Sequence, residues 1–215
     1  VQLIKVNDWS EVPAEPQVLV IDDFFEDLSW LIPHLKTQTR LTPQFYNYGG
    51  KAYFPPPEIK AYALERISRA LNLELDESDT KKTGELRVSY KESEFEKKTF
   101  VHADPSMNAL VYLSGIEGDE GGTSFYRHKE VGFNFLHSTD PEIKKHNLIC
   151  RYDTNDVSRW NVVKTIPFKK NRALIFNGHY MHAVPTRYYG ESFETGRITQ
   201  NFFFNKLKDY FWTNS

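Results

Sequence analysis

The order of periodicities along this chain predicts an α+β fold, with helices first and a rolled antiparallel β-sheet after them. Three observations carry that prediction. Ile59, Ala63, Ile67 and Leu71 recur at every fourth position, with Leu64 beside them, as on the buried stripe of a helix. After Gly84 the period drops to two, and Leu86, Val88 and Tyr90 alternate with Glu85, Arg87 and Ser89. The composition is also aromatic: 16 Phe, 12 Tyr and 4 Trp suit pleated sheets and binding pockets alike.

The elements follow in order. Val18 to Phe25 is β-branched and apolar, and reads as the first strong strand. Asp27 stands where a helix cap would, ahead of Leu28 to Lys36, with Pro33 limiting or kinking that helix. Residues 40–57 read as a loop punctuated by Pro43, Gly49-Gly50 and Pro55-Pro56-Pro57. Phe45, Tyr46, Tyr48, Tyr53 and Phe54 in it fit either a lid over a site or an apolar flap on the main helix. Further strands are expected at Thr99–Ala103, Ala109–Ser114, Ser124–Arg127, Trp160–Ile166, Ala173–Asn177 and Ile198–Phe204. Several short strands joined by turns imply an antiparallel sandwich or barrel. Residues 128–159 show little periodicity and read as an insertion. The expected organisation is one domain over 1–215, with helical support over about 18–75 and a β-core over about 84–206.

Composition narrows the function classes. The 215 residues are 40% hydrophobic and 26% charged, so the bulk of the chain can bury a core and is not a disordered segment. The net charge of −2 lacks the basic surplus of a nucleic-acid partner, so none is expected. Cys150 is the sole cysteine, which excludes an internal disulfide and a thiolate metal cage and favours the cytoplasm. No stretch approaches the ~20 apolar residues of a membrane span. Val1 to Asn7 show no basic stretch leading into an apolar run, so no signal peptide is expected.

The sharpest short feature is His102-Ala103-Asp104. Residues two apart on a strand project to the same face, so an imidazole and a carboxylate can reach one cation. A second histidine from a distant strand would complete a two-His-one-carboxylate face, the donor set of non-haem Fe(II) sites with open positions. Standing alone, the pair is better read as a surface His beside a turn Asp ahead of Pro105. Four further motifs follow it in order. They are Tyr112-Leu113-Ser114, then Gly121-Gly122-Thr123-Ser124-Phe125 as a tight turn into a strand, then Arg172 to Phe176 with His179, His182 and Val184-Pro185, and finally Gly196-Arg197-Ile198-Thr199.

This ordered set resembles the Fe(II)/2-oxoglutarate-dependent dioxygenase superfamily, in particular its prolyl-4-hydroxylase-like branch. The layout agrees over about Val18 to Phe204 and is specific from Tyr90 to Thr199. Three features depart from the pattern. Thr123 sits one place early, residues 128–159 are inserted, and His182 and Arg197 lie 15 positions apart, with a polar loop over Tyr188 to Thr195.

The resemblance implies a double-stranded β-helix, or jelly-roll barrel, with the N-terminal helices packed on its outside. It implies an enzyme that uses Fe(II), 2-oxoglutarate and O2, releases succinate and CO2, and hydroxylates its substrate. His102, Asp104 and His182 carry over as metal ligands and as the catalytic set. His179 competes with His182 for the third place, and is otherwise a substrate-side or turn residue. Arg197 and Thr199 carry over as the holders of the distal carboxylate of 2-oxoglutarate, since a guanidinium grips a carboxylate with two parallel bonds. An ion pair of Arg197 with Glu191 or Glu194 is the bland alternative. Tyr90 fits a co-substrate contact or sheet packing equally, and Tyr112 is either co-substrate-facing or core, with core favoured. Tyr126, Arg127 and His128 stand where relatives face substrate, or form a solvated strand end. The expected substrate is a peptide or a small amino-acid-like molecule, and the oligomeric state stays open. The rival readings are a non-catalytic barrel used for binding and a cupin-type metalloenzyme without 2-oxoglutarate.

Overall fold

The computed structural model describes residues 2–8, 12–38, 51–75, 83–90, 101–132, 149–185, 190–192 and 194–213. These residues form mostly antiparallel β-sheets with few helices, an architecture of β-sandwich or jelly-roll type. The strands are β1 (Gln2–Lys5), β2 (Val18–Ile21), β3 (Lys51–Tyr53), β4 (Glu85–Ser89), β5 (Met107–Ser114), β6 (Gly118–His128), β7 (Trp160–Phe168), β8 (Arg172–Asn177), β9 (His182–Ala183), β10 (Arg197–Phe204) and β11 (Tyr210–Thr213). The helices are α1 (Leu31–Thr37) and α2 (Pro57–Leu71).

A six-stranded sheet runs in the order β2-β8-β5-β10-β4-β3. A three-stranded sheet runs β7-β6-β9, and an isolated antiparallel bridge adds His102 beside His182. Strand alternation gives the large sheet two distinct faces. On one, Leu86, Val88, Ala109, Val111, Ile198 and Phe202 join Leu31, Leu35, Ala63, Ile67 and Leu71 of the helices in a single apolar cluster. On the other, Tyr112, Leu174 and Phe176 meet Phe125, Ile166 and Phe168 of the small sheet in a second cluster. The metal-ligand candidates lie at the border of this second cluster, where Phe125 and Phe176 flank the ring of His182 at centroid distances of 6.3 and 5.0 Å.

Several sequence expectations meet a different local structure. The first strand stops at Ile21, because Asp23 takes a left-handed backbone (φ 51°). Helix α1 begins at Leu31, and Asp27 makes an Asx turn instead of a cap, accepting from the Ser29 backbone amide at 2.9 Å. Pro33 is tolerated because it falls in the first turn, where amides have no intrahelical partner. Part of the 40–57 loop is strand: β3 pairs with β4, Tyr53 is buried and Phe54 is exposed. Phe45, Tyr46 and Tyr48 lie outside the described residues, as do 133–148 of the inserted stretch.

Gly121-Gly122 is not a turn. Both residues lie within β6, where a Cβ on Gly121 would collide with the Ile116 carbonyl and one on Gly122 with the Ile166 carbonyl. The pair marks close backbone approach across a register shift against β7. Nothing in the local pattern announced β1 and β11, which pair with each other from opposite ends of the described chain, Gln2 against Thr213.

Candidate metal centre

Main-chain pairing brings the two histidines together. The His102 amide donates to the His182 carbonyl at 3.0 Å, and the His182 amide donates back at 2.8 Å. Their ring centroids stand 4.4 Å apart. Asp104 follows two residues on, its amide anchored on the Gly178 carbonyl at 2.7 Å. Its Oδ2 lies 3.6 Å from His182 Nε2 and 3.9 Å from His102 Nε2. The three ligand atoms all fall within 4.8 Å of one another. His182, and not His179, is the histidine in this group.

The donor chemistry fits a cation. His182 Nδ1 stands 2.7 Å from the Tyr180 carbonyl, which can only accept, so the proton sits on Nδ1 and the Nε2 lone pair faces Asp104. Burial pushes the Asp104 carboxyl up. The two neighbouring imidazoles and the Asn108 amide outweigh it and hold the group at about 2, so it is an anion at neutral pH. Ligands set at right angles about 2.1 Å from an ion stand roughly 3 Å apart. The observed 3.6 and 3.9 Å therefore close onto an ion with small side-chain adjustment. A further hydrogen bond, from Asn108 Nδ2 at 2.7 Å, reaches the same Asp104 oxygen.

A second polar group gathers around Arg197. Its Nε donates to the Gly121 carbonyl at 3.1 Å, and its Cζ lies 5.6 Å from the Tyr112 ring centroid. The Tyr112 hydroxyl and Thr123 Oγ1 are hydrogen-bonded at 2.7 Å. Burial pushes the Tyr112 phenol up to about 12 against the opposing pull of Arg197 and Thr123, so it stays protonated. Thr199 is buried and sits opposite Tyr112 in the ladder. Sequence reading paired Arg197 with Thr199 and leaned to core for Tyr112, which is fully buried in the second apolar cluster with its hydroxyl on Thr123. The register that sets Tyr112 against Thr199 joins segments far apart in the chain and leaves no local signal. Asn108 did leave one, as a polar residue inside the apolar run from Met107 to Leu113.

The remaining candidates lie elsewhere. Tyr90 belongs to the apolar cluster under the helices, with Leu86 and Val88. Phe125 faces His182, whereas Tyr126 packs with Val101, Cys150 and Trp160 in a separate cluster. His128 is buried there too. Its Nε2 lies 2.9 Å from Asp153 Oδ2, and Nδ1 accepts from the Glu130 and Val131 amides, so both ring nitrogens serve to tie the strand end to the following segment. Arg127 pairs with Glu15 at 2.9 Å. His179 is buried, with its amide on Asn177 Oδ1 at 2.9 Å. No helix among the described residues is long and apolar enough to cross a membrane.

The chain belongs to a family of unknown function, DUF6445, whose pattern matches residues 6–204. No curated protein matches it. Among solved structures it is similar to HygX from Streptomyces hygroscopicus with nickel and 2-oxoglutarate bound, at 15% identity and a TM-score of 0.51, over 92% of this chain and 84% of that one. A second HygX structure, with nickel, 2-oxoglutarate and hygromycin B, aligns at 15% identity over the same shares with a TM-score of 0.48. At this identity the likeness extends to the fold.

Proposed function

We propose that this chain is an Fe(II)- and 2-oxoglutarate-dependent oxygenase of the prolyl-4-hydroxylase-like branch, hydroxylating a peptidyl or small amino-acid-like substrate. The observation that carries this reading is the convergence of Asp104 Oδ2 with the Nε2 atoms of His102 and His182, one anion and two imidazoles brought together by an isolated bridge to β9. The strand orders β8-β5-β10-β4 and β7-β6-β9, with His102 beside β9, support a double-stranded β-helix working as one domain. The HygX structure with 2-oxoglutarate and a metal supports the same assignment through its fold. A cytoplasmic setting agrees with the single cysteine.

His102, Asp104 and His182 would hold the metal, a two-imidazole, one-carboxylate donor set suited to an iron that must also take a co-substrate. When bound, iron supplies the O2 chemistry that couples conversion of 2-oxoglutarate to succinate and CO2 with hydroxylation of the substrate. Arg197 grips the distal carboxylate of 2-oxoglutarate, and the neutral Tyr112 hydroxyl, Thr123 and Thr199 complete that end. Phe125 and Phe176 keep the space beside His182 apolar, which strengthens the charge contacts there.

The test is turnover. Protein supplied with Fe(II), ascorbate, O2, 2-oxoglutarate and a panel of amino acids and short peptides is expected to form succinate and CO2 in equal amounts. His182→Ala is expected to form none. Succinate formation that survives His182→Ala, or no succinate from the unaltered protein with any panel member, contradicts the proposal.

A further inference from the structure

Asp104 is held from behind by a side chain that the proposed chemistry does not itself employ. Asn108, on β5, is buried and donates from Nδ2 to Asp104 Oδ2 at 2.7 Å. Its Oδ1 accepts from the buried Ser106 hydroxyl at 2.6 Å. The carboxylate, which can only accept, decides which way the amide points, and the Ser106 hydroxyl, free to donate or accept, then donates to the Oδ1 on the other side.

Gly178 closes the arrangement. Its amide donates to the Ser106 carbonyl at 2.8 Å, and its carbonyl accepts from the Asp104 amide at 2.7 Å. A Cβ there would stand 2.8 Å from the Ser106 carbonyl oxygen and 2.9 Å from both amide atoms of Asn108. The four residues brace the Asp104 carboxylate at main chain and side chain together.

We propose that Asn108, held at its far end by Ser106, is the positioning residue that presents Asp104 to the metal, an inference that rests on the metal centre proposed above. The terminal torsion of an aspartate is soft, so a carboxylate without a partner swings. The bond from Asn108 fixes it. The oxygen it holds is also the one that lies toward both His102 and His182 Nε2. Because the donor is a neutral amide, the full negative charge stays available to the cation. Partners of this kind, behind a metal ligand, change affinity by about 10–100-fold when removed.

The experiment is calorimetric titration of the metal-free protein with Ni(II), together with the visible absorption of the Co(II)-loaded protein, neither of which needs turnover. Asn108→Leu keeps the branched shape and removes the donor, and it is expected to weaken Ni(II) by about 10–100-fold. Ser106→Ala is expected to weaken it in the same direction and to alter the Co(II) bands, with Ser106→Thr restoring both. If Asn108→Leu does not fold, the Ser106 pair decides. Wild-type affinity and Co(II) bands in Asn108→Leu and Ser106→Ala would overturn this inference while leaving the metal centre intact. Affinity that falls only in step with the stability of the metal-free protein, with Co(II) bands unchanged, would also overturn it. No Ni(II) or Co(II) binding by the unaltered protein would overturn the metal centre and the inference together.

Discussion

The guanidinium of Arg197 lies against the ring of Tyr112, with Cζ 5.6 Å from the ring centroid, and the Tyr112 hydroxyl is bonded in turn to Thr123 at 2.7 Å. A cation, a neutral hydroxyl donor and a second hydroxyl meet there on strands β10, β5 and β6, an arrangement suited to one end of a dicarboxylate. Arg197→Ala is expected to weaken 2-oxoglutarate by about 10–100-fold, since a charged hydrogen bond contributes roughly 1.5–3 kcal/mol. Tyr112→Phe is expected to cost several-fold less. Both are expected to leave Ni(II) affinity near wild type. Calorimetry with each ligand separates the two effects, and unchanged 2-oxoglutarate binding in Arg197→Ala would contradict the assignment.

The two candidate histidines of the 179–182 segment are expected to behave differently. His182→Ala should abolish Ni(II) binding, because it removes one of the three converging ligand atoms. His179→Ala should retain it, because His179 lies outside that group. Tight binding by His182→Ala would refute this division.

Cys150 is buried, and burial pushes its thiol up to about 11, with Asp153 adding to the shift. The reactive thiolate is therefore scarce in the native protein at pH 8. Labelling with a disulfide reagent is expected to be slow without denaturant and to complete in urea at the rate of a free thiol. Rapid labelling of the native protein would show that the 149–160 segment does not cover the cysteine.

Asp22 is held well below the usual carboxylate range, chiefly by hydrogen bonds from Arg172 and Lys169. A carboxyl whose folded value is depressed adds stability above its unfolded value, and that contribution is lost as pH falls toward the folded value. Asp22→Asn is expected to lower stability at pH 7 by less than about 1 kcal/mol, because the pair is partly exposed and screened. The gap between variant and wild type should narrow as pH drops below 3.8, the ordinary value for the group. Urea midpoints across pH 2–7 read it, and a gap that widens in acid would have the wrong sign.

How much was readable in advance depended on whether a feature is local. Helix α2 showed in the spacing of Ala63, Ile67 and Leu71, all buried in the structure, and β8 and β10 showed in the runs from Ala173 and Ile198. His102 and Asp104 are close in sequence, which marked them as a pair, but in place of the expected strand there is an isolated bridge at His102, and Asp104 is fixed by its amide on the Gly178 carbonyl. Their meeting with His182 came from the family resemblance, because it depends on a bridge across 80 positions. The roles of Tyr112, Tyr126 and His128 turned on which face of a strand looks inward. Local alternation leaves that undecided when both faces are buried, as along much of β5 and β6. Gly121-Gly122 misled for a related reason, since glycine marks a turn and a close backbone approach with the same letter.

The most direct test of the metal and co-substrate site is anaerobic. Metal-free protein receives Fe(II) and then 2-oxoglutarate, and the visible charge-transfer absorption is followed. The account predicts a new band that needs both additions, is absent in His102→Ala, and requires far more 2-oxoglutarate in Arg197→Ala. Iron bound without such a band would contradict the co-substrate assignment and favour a cupin-like enzyme. No iron bound at all would contradict the catalytic reading and leave a barrel used for binding.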